Sequence, residues 1–333
     1  MDKLSMHPVD KLVRFLAESD KPWQLVKHKD DVPVGKRSYP VWGEIKYDGV
    51  FCAVVMGSFM PVAISRTGKE FFSAINAKVL PLVPPDTEVL QVIIGELVCT
   101  GISLEELSGL VNPNRVNDWT PEQHEMLKGI DFFVHDVLTF SEVYDGYSRV
   151  KQSDRRKRVE ALHPRVARTT GMMIHDLVEE NIFFNEAMAH NCEGIVLKNP
   201  NAGYESGHKG WRAMKRVRDL HVDLKCLAVE TGKGKRTGQI ARLQFMYKGK
   251  TFWADLGAGW TDAKRIELTR CWELRKQFEG CLDMHQQQVP FYANASPIGK
   301  VFHLSALQES SRGVLRLPKV NEMRIDKDVE DVT

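Results

Sequence analysis

Lys46, Asp48 and Gly49 stand together in EIKYDG, between two apolar runs that read as strands. A lysine at the end of a strand projects its amine from a braced loop, a placement that suits a nucleophile. A KxDG match arises by chance in a chain of this length about one time in ten, so the ordered set that follows carries the weight. SRTG at 65–68, IGEL at 94–97, EGIVLK at 193–198 and WRAMKR at 211–216 each fall at or near the end of an expected strand. Charged groups set into apolar strands are costly unless they meet one another or a charged ligand. Glu193 and Lys198 fall on opposite faces of a regular strand, although a strand entering a cleft exposes its two ends at different points. A lysine of ordinary pKa is almost wholly protonated at neutral pH. Its surroundings must lower that pKa before the amine can act as a nucleophile. The chemistry this set suits is that of a lysine nucleophile beside charges that meet a charged ligand or one another.

The elements that must position these residues interleave. VWGEIKYDGVFCAVVM, PVAISRTG, EVLQVIIGELVC, DFFVHDVLTF and CEGIVLK read as strands. SLEELSGLV, opened by Ser103 with Glu106 three residues on, QSDRRKRVEAL and DLVEENIFFNEAMAHN read as helices. The first 40 residues mix charge and proline without a long periodic pattern. After Trp211 the texture changes to short β-like runs broken by glycine (HVDLKCLAVE, ARLQFMYKG, KTFWADLG), followed by a helical DAKRIELTRCWELRKQF. The expectation is an α+β domain over residues 1–217 and a small β-barrel over 218–333.

Composition agrees with two domains: 333 residues, 43% apolar and 27% charged, exclude a disordered chain. No apolar run reaches the length of a bilayer and the N-terminus has no secretory-type stretch, so no membrane partner and a cytoplasmic location are expected. Six cysteines without a CxxC read as reduced, structural thiols. With 46 basic and 44 acidic residues, any affinity for a polyanion must be local. It concentrates in Lys209, Arg212, Lys215, Arg216 and Arg218, then in Lys233, Lys235, Arg236 and Arg242. GKGKRTG lacks the Gly-Lys-Ser/Thr of a phosphate-binding loop, and GAGWTD fails GxGxxG at its last glycine, so neither a P-loop NTPase nor a dinucleotide fold is supported.

Taken in order, these motifs resemble the nucleotidyltransferase superfamily of ATP-dependent DNA ligases, RNA ligases and mRNA capping enzymes. They look most like the small phage-type ATP-dependent DNA ligases, over about residues 42–327. The resemblance implies an ATP-grasp-like adenylation (nucleotidyltransferase) domain followed by an OB-fold nucleic-acid-binding β-barrel. It implies that Lys46 attacks the α-phosphate of ATP, releases pyrophosphate and holds AMP. Glu44 would contact adenine, Arg66 and Glu96 would hold the ribose and the phosphate side, and Lys198 and Lys215 would grip the α-phosphate. Glu193, with Glu96, would hold Mg²⁺. Lys233, Lys235 and Arg236 would face DNA phosphates, and Arg324, Asp326 and Lys327 of RIDK would orient pyrophosphate. The implied activity is sealing of 3′-hydroxyl/5′-phosphate nicks in duplex DNA by a monomer, through lysyl-AMP and a DNA 5′-adenylate. An RNA ligase, a capping-type guanylyltransferase and an inactive nick-binding module remain as alternatives.

Four positions depart from the family pattern. Phe51 stands where KxDGxR ends, so one nucleotide contact is absent or supplied elsewhere, and Phe51→Arg is expected to leave nucleotide affinity normal or better. Ile94 replaces the Asp of DGE, and Ala213 the first lysine of KxK. The aromatic that stacks on adenine falls on His135, ahead of Asp136, with Phe132 and Phe133 as alternatives.

Overall fold

The computed structural model describes residues 7–57, 61–71, 73–82, 90–279, 296–310 and 313–330, and the chain forms two compact units, Met1–Val217 and Arg218–Thr333. Two main sheets build the first unit. One has the order β1 (Leu25–His28), β11 (Lys209–Val217), β9 (Gly194–Lys198), β2 (Val41–Lys46) and β8 (Gly171–Ile174). The other has the order β4 (Val62–Ile64), β3 (Val50–Met56), β5 (Gln91–Cys99) and β6 (Ile130–Thr139). A short ribbon pairs β7 (Tyr147–Ser148) with β10 (Tyr204–Glu205).

β3 and β5 are near-continuous apolar runs because both faces of their sheet are covered. Cys52, Val54, Ile93 and Leu97 share a core with α2 (Ser73–Val79) and α3 (Leu104–Leu110), the latter opened by the expected Ser103/Glu106 capping box. On the other face, Ala53, Val55, Val92 and Ile94 pack with Val9, Leu12, Val13 and Leu16 of α1 (Pro8–Glu18). That helix is a short element within the first 40 residues, which show no long periodic pattern: the four side chains recur at helical spacing, and Pro8 suits a first turn. The remaining helices of this unit are α4 (Pro121–Met126), α5 (Phe140–Tyr144), α6 (Gln152–Glu160) and α7 (Leu177–Ala189).

In the five-stranded sheet the alternation of a strand separates core from chemistry. Val41, Ile195, Leu197 and Met214 share a core with Phe183 and Ala187 of α7. The intervening positions pair in register across the sheet: Trp42 with Lys198 and Ala213, Glu44 with Val196 and Lys215, Lys46 with Gly194. Cross-strand partners share a face, so the charged residues of three strands gather on the side turned away from α7.

The second unit is a single curved sheet in the order β12 (Leu220–Lys225), β16 (Val301–Ala306), β17 (Lys319–Met323), β15 (Lys250–Leu256), β14 (Ile240–Tyr247) and β13 (Ala228–Thr231). β12 and β13 are successive segments of one bent strand, so the two edges of this order are covalently joined and the sheet closes. β15 and β17 run parallel, and α8 (Asp262–Glu279) connects β15 towards β16, with Leu268 entering the barrel core. This is the connectivity of a five-stranded OB barrel.

Candidate active site

Lys46 ends β2 and Val50 begins β3, yet the two strands belong to different sheets. KxDG is therefore not a hairpin turn but the passage between sheets, and it places the lysine at their junction. Gly49 is required there, because a Cβ would come within 2.6 Å of the Leu97 carbonyl oxygen. A pocket of about 130 Å³ lies at this junction. Lys46, Glu44, Arg66, Glu96, His135 and Lys198 all line it.

The pocket is organised by ion pairs. The Lys46 ammonium is bound by the Glu193 carboxylate, so the nearest charged neighbour of the candidate nucleophile is an acid and not the two lysines expected from the sequence. Lys198 is bound elsewhere: its Nζ forms an ion pair with Glu44 Oε2 at 2.7 Å and donates to the His135 carbonyl at 2.9 Å. Glu44, 2% exposed, also accepts from Trp42 Nε1 at 2.9 Å and lies 3.6 Å from Arg156. The expected adenine contact at Glu44 thus falls on a carboxylate with both oxygens engaged. Lys215 shares the same sheet face as Glu44, and burial lowers its pKa, with Lys46 adding to the effect and Glu193 opposing it. Neither Lys215 nor Arg66 forms an ion pair among the described residues, which leaves two positive charges available to an anion.

Glu96 supplies the complementary feature. Its Oε2 is buried without a hydrogen-bond partner among the described residues, and burial pushes its pKa up to about 7, with Lys46 and Arg66 pulling against it and Glu193 adding to it. An orphaned carboxylate oxygen beside a second carboxylate fits a divalent cation. The described residues contain no cluster of three or more acidic, histidine or cysteine ligands, so phosphate and water oxygens would complete the shell, as Mg²⁺ prefers.

His135 owes its position to a bulge. Gly95 pairs with Val134 and Ile94 with Asp136, leaving His135 as the extra residue of β6, turned into the pocket. Gly95 permits this, since a Cβ would meet the Phe133 carbonyl oxygen at 2.3 Å. The two alternatives for the stacking aromatic are otherwise occupied: Phe132 is in the core, 1% exposed, and Phe133 stacks on Tyr47 at 4.2 Å. Burial, then Lys198, holds the His135 pKa down at about 3. Folding therefore favours the neutral ring, and its contribution is present above the ordinary value of about 6.5 and is lost as pH falls from there towards 3. His135→Phe should lose less stability than the unaltered protein between pH 7 and pH 4, measured as the urea midpoint at each pH.

Phe51 packs against Arg66 and Trp23. Its ring lies under the Arg66 guanidinium at 5.0 Å and against Trp23 at 5.1 Å, while Trp23 Nε1 donates to the Arg66 carbonyl at 2.8 Å. This packing argues against the expectation for Phe51→Arg, because the variant would set a second guanidinium against Arg66. That variant should bind ATP more weakly, and Phe51→Leu should raise the apparent KM for ATP about threefold through loss of the cation–π contact. An unchanged KM in both would remove the ring from any part in nucleotide binding.

Gln24, Val26, Tyr47, Thr169 and Val196 also line the pocket and were not singled out from sequence. Trp42 was legible in principle, because it alternates with Glu44 on β2. Gln24 and Arg156 carry no local signal. The remaining predicted residues lie in the second unit. Lys233 and Lys235 are exposed on the loop after β13, and Arg236 pairs with Asp262 at 3.1 Å. Arg324 and Lys327 are held on Asp223, and Arg324 also binds Asp326.

Residues 24–216 match the family model described as ATP dependent DNA ligase domain, and the chain belongs to that family. A protein of Mycobacterium sp. (strain KMS) named "Probable DNA ligase" is 34% identical over 155 residues, which are 42% of this chain and 29% of that protein. The chain thus matches less than a third of that relative's length. A solved structure from work on Lig E DNA ligases with a minimal DNA-binding scaffold has a TM-score of 0.62 at 17% identity, over 92% of this chain and all of that one. Another, "Pmar-Lig_Pre.", has a TM-score of 0.66 at 18% identity, over 91% of this chain and 67% of that one. These likenesses show the fold, a nucleotidyltransferase domain followed by an OB-fold barrel.

Proposed function

We propose that this chain seals 3′-hydroxyl/5′-phosphate nicks in duplex DNA, with ATP as the nucleotide and Lys46 as the nucleophile. The observation that carries the reading is the junction pocket, where an amine paired with one carboxylate faces an uncommitted arginine and an orphaned acid, with an uncommitted lysine on the same sheet face. Lys46 must shed a proton before it attacks, and Glu193, already in contact with Nζ, is the nearest acceptor. The Nζ–phosphorus bond then forms as the bond from the α-phosphorus to the bridging oxygen of pyrophosphate breaks. Arg66 and Lys215 would meet the charge on the phosphate oxygens. Glu96 and Glu193 would hold Mg²⁺, which when bound supplies further positive charge to those oxygens. Transfer of AMP to a DNA 5′-phosphate would make a mixed anhydride, from which the 3′-hydroxyl displaces AMP. His135, kept neutral, offers a flat face for adenine.

The test is incubation with Mg²⁺ and α-labelled ATP or GTP, then denaturing electrophoresis and mapping of the labelled peptide. AMP on Lys46, passed on to nicked DNA, is the expected result. GMP would move the assignment to capping chemistry, transfer to RNA ends only would make it an RNA ligase, and no label with either nucleotide would favour a nick-binding module. DNA docking by Lys233 and Lys235 adds an expectation of its own. Binding of nicked DNA should weaken as salt rises, and the Lys233→Ala/Lys235→Ala variant should show a log–log salt slope smaller by about 2. An unaltered slope would remove this loop from the interface.

A further inference from the structure

We propose that Asp223 is the positioning residue of the RIDK element, holding Arg324 and Lys327 side by side as a two-pronged cation for a polyphosphate leaving group. The inference rests on the ligase reading above. Asp223 lies in β12 and is 5% exposed. Its Oδ2 accepts from Arg324 Nη1 at 2.7 Å and from Lys327 Nζ at 2.8 Å, while Oδ1 is 2.8 Å from Nδ1 of His303, its cross-strand partner on β16. His303 is fixed in turn: its ring stacks on His221 at 5.0 Å, with His221 Nδ1 3.0 Å from its Nε2. One buried carboxylate thus organises donors from β16 and from the segment after β17.

Two like charges within hydrogen-bond reach of one oxygen repel each other, and the carboxylate between them is what keeps them together. RIDK by itself does only part of this. Asp326 binds Arg324 through Nε at 2.9 Å and Nη2 at 2.7 Å, whereas Lys327 is brought beside Arg324 by Asp223, which is 104 positions earlier in the chain. These contacts use three of the five N–H groups of Arg324, and two remain for an anion. A pair of adjacent cations matches the oxygens of pyrophosphate, whose charge grows as the bond to the α-phosphorus breaks.

The test uses the full chain with Asp223→Asn. Formation of lysyl-AMP from ATP should slow by about 10- to 100-fold, as when an outer-shell partner of a charged ligand is lost. Sealing of a pre-adenylated nick, which releases no pyrophosphate, should stay near the unaltered rate. Equal losses in the two steps, or no loss in the first, would overturn the assignment. A charge-balanced variant, Asp223→Asn/Lys327→Met, covers the case in which the single change fails to fold. It should label more slowly than Lys327→Met alone, but by less than the loss from Asp223→Asn in the unaltered background, because Asp326 still holds Arg324, and a full multiplicative loss would sink the proposal. The unaltered protein in the same assays separates the two levels: label there, with sealing of the pre-adenylated nick, upholds the ligase reading whatever the variants do, and absence of label removes both.

Discussion

Lys46→Arg should leave no covalent nucleotide on the protein and should lower sealing of an ordinary nick by on the order of 10⁴-fold or more, the scale of losing a nucleophile. Arginine keeps the positive charge and the ion pair with Glu193, so the fold and nick binding should survive. What it lacks is a free lone pair, because a guanidinium does not deprotonate in a protein. The contrast with Lys46→Ala is informative. Alanine also removes the charge that the buried Glu193 carboxylate faces, so it should be less stable than Lys46→Arg while being equally unlabelled. Retention of label in either variant, seen by electrophoresis and peptide mapping, would show that another group is the nucleophile.

Lys198→Met should damage stability and chemistry together, and the two effects can be separated. Lys198 and Glu44 are 8% and 2% exposed, and their 2.7 Å pair is desolvated. Removing one partner leaves a buried charge, at a cost of about 3 kcal/mol or more. For a unit of this size that lowers Tm by on the order of 10 °C. Arg156 and the Trp42 indole still face Glu44 and keep the loss from being larger. Adding Glu44→Gln removes the unpaired charge, so the double variant should recover most of the Tm, measured by calorimetry. It should not recover adenylation, because the Lys198 amine, which the motif resemblance places at the α-phosphate, is still missing. Recovery of both would make the Lys198–Glu44 pair purely structural.

Phe51 and His135 show how far a departure from a motif can be read. At the level of sequence each looks like a lapse. In the fold each holds a defined place: the Phe51 ring lies under Arg66, and His135 is the bulged residue opposite Gly95. Neither placement leaves a local periodic trace, because both come from contacts between segments.

What the sequence by itself determined is the inventory and its local geometry. Alternation in VWGEIK and GIVLK puts Glu44, Lys46 and Lys198 on one side and Val41, Ile195 and Leu197 on the other, since neighbouring side chains of a strand point to opposite faces. The change of texture after Trp211 separates the mixed unit from the barrel. α1 went unread, although its apolar residues stand at helical spacing, because the run is only about three turns long. What only the tertiary structure decided is who meets whom. Lys46 finds Glu193 147 positions away, Lys198 takes Glu44, and Asp223 gathers Arg324 and Lys327. Partner choice among charges follows from sheet order and register, which set neighbours across strands distant in the chain, whereas local spacing sets only the face on which each charge emerges.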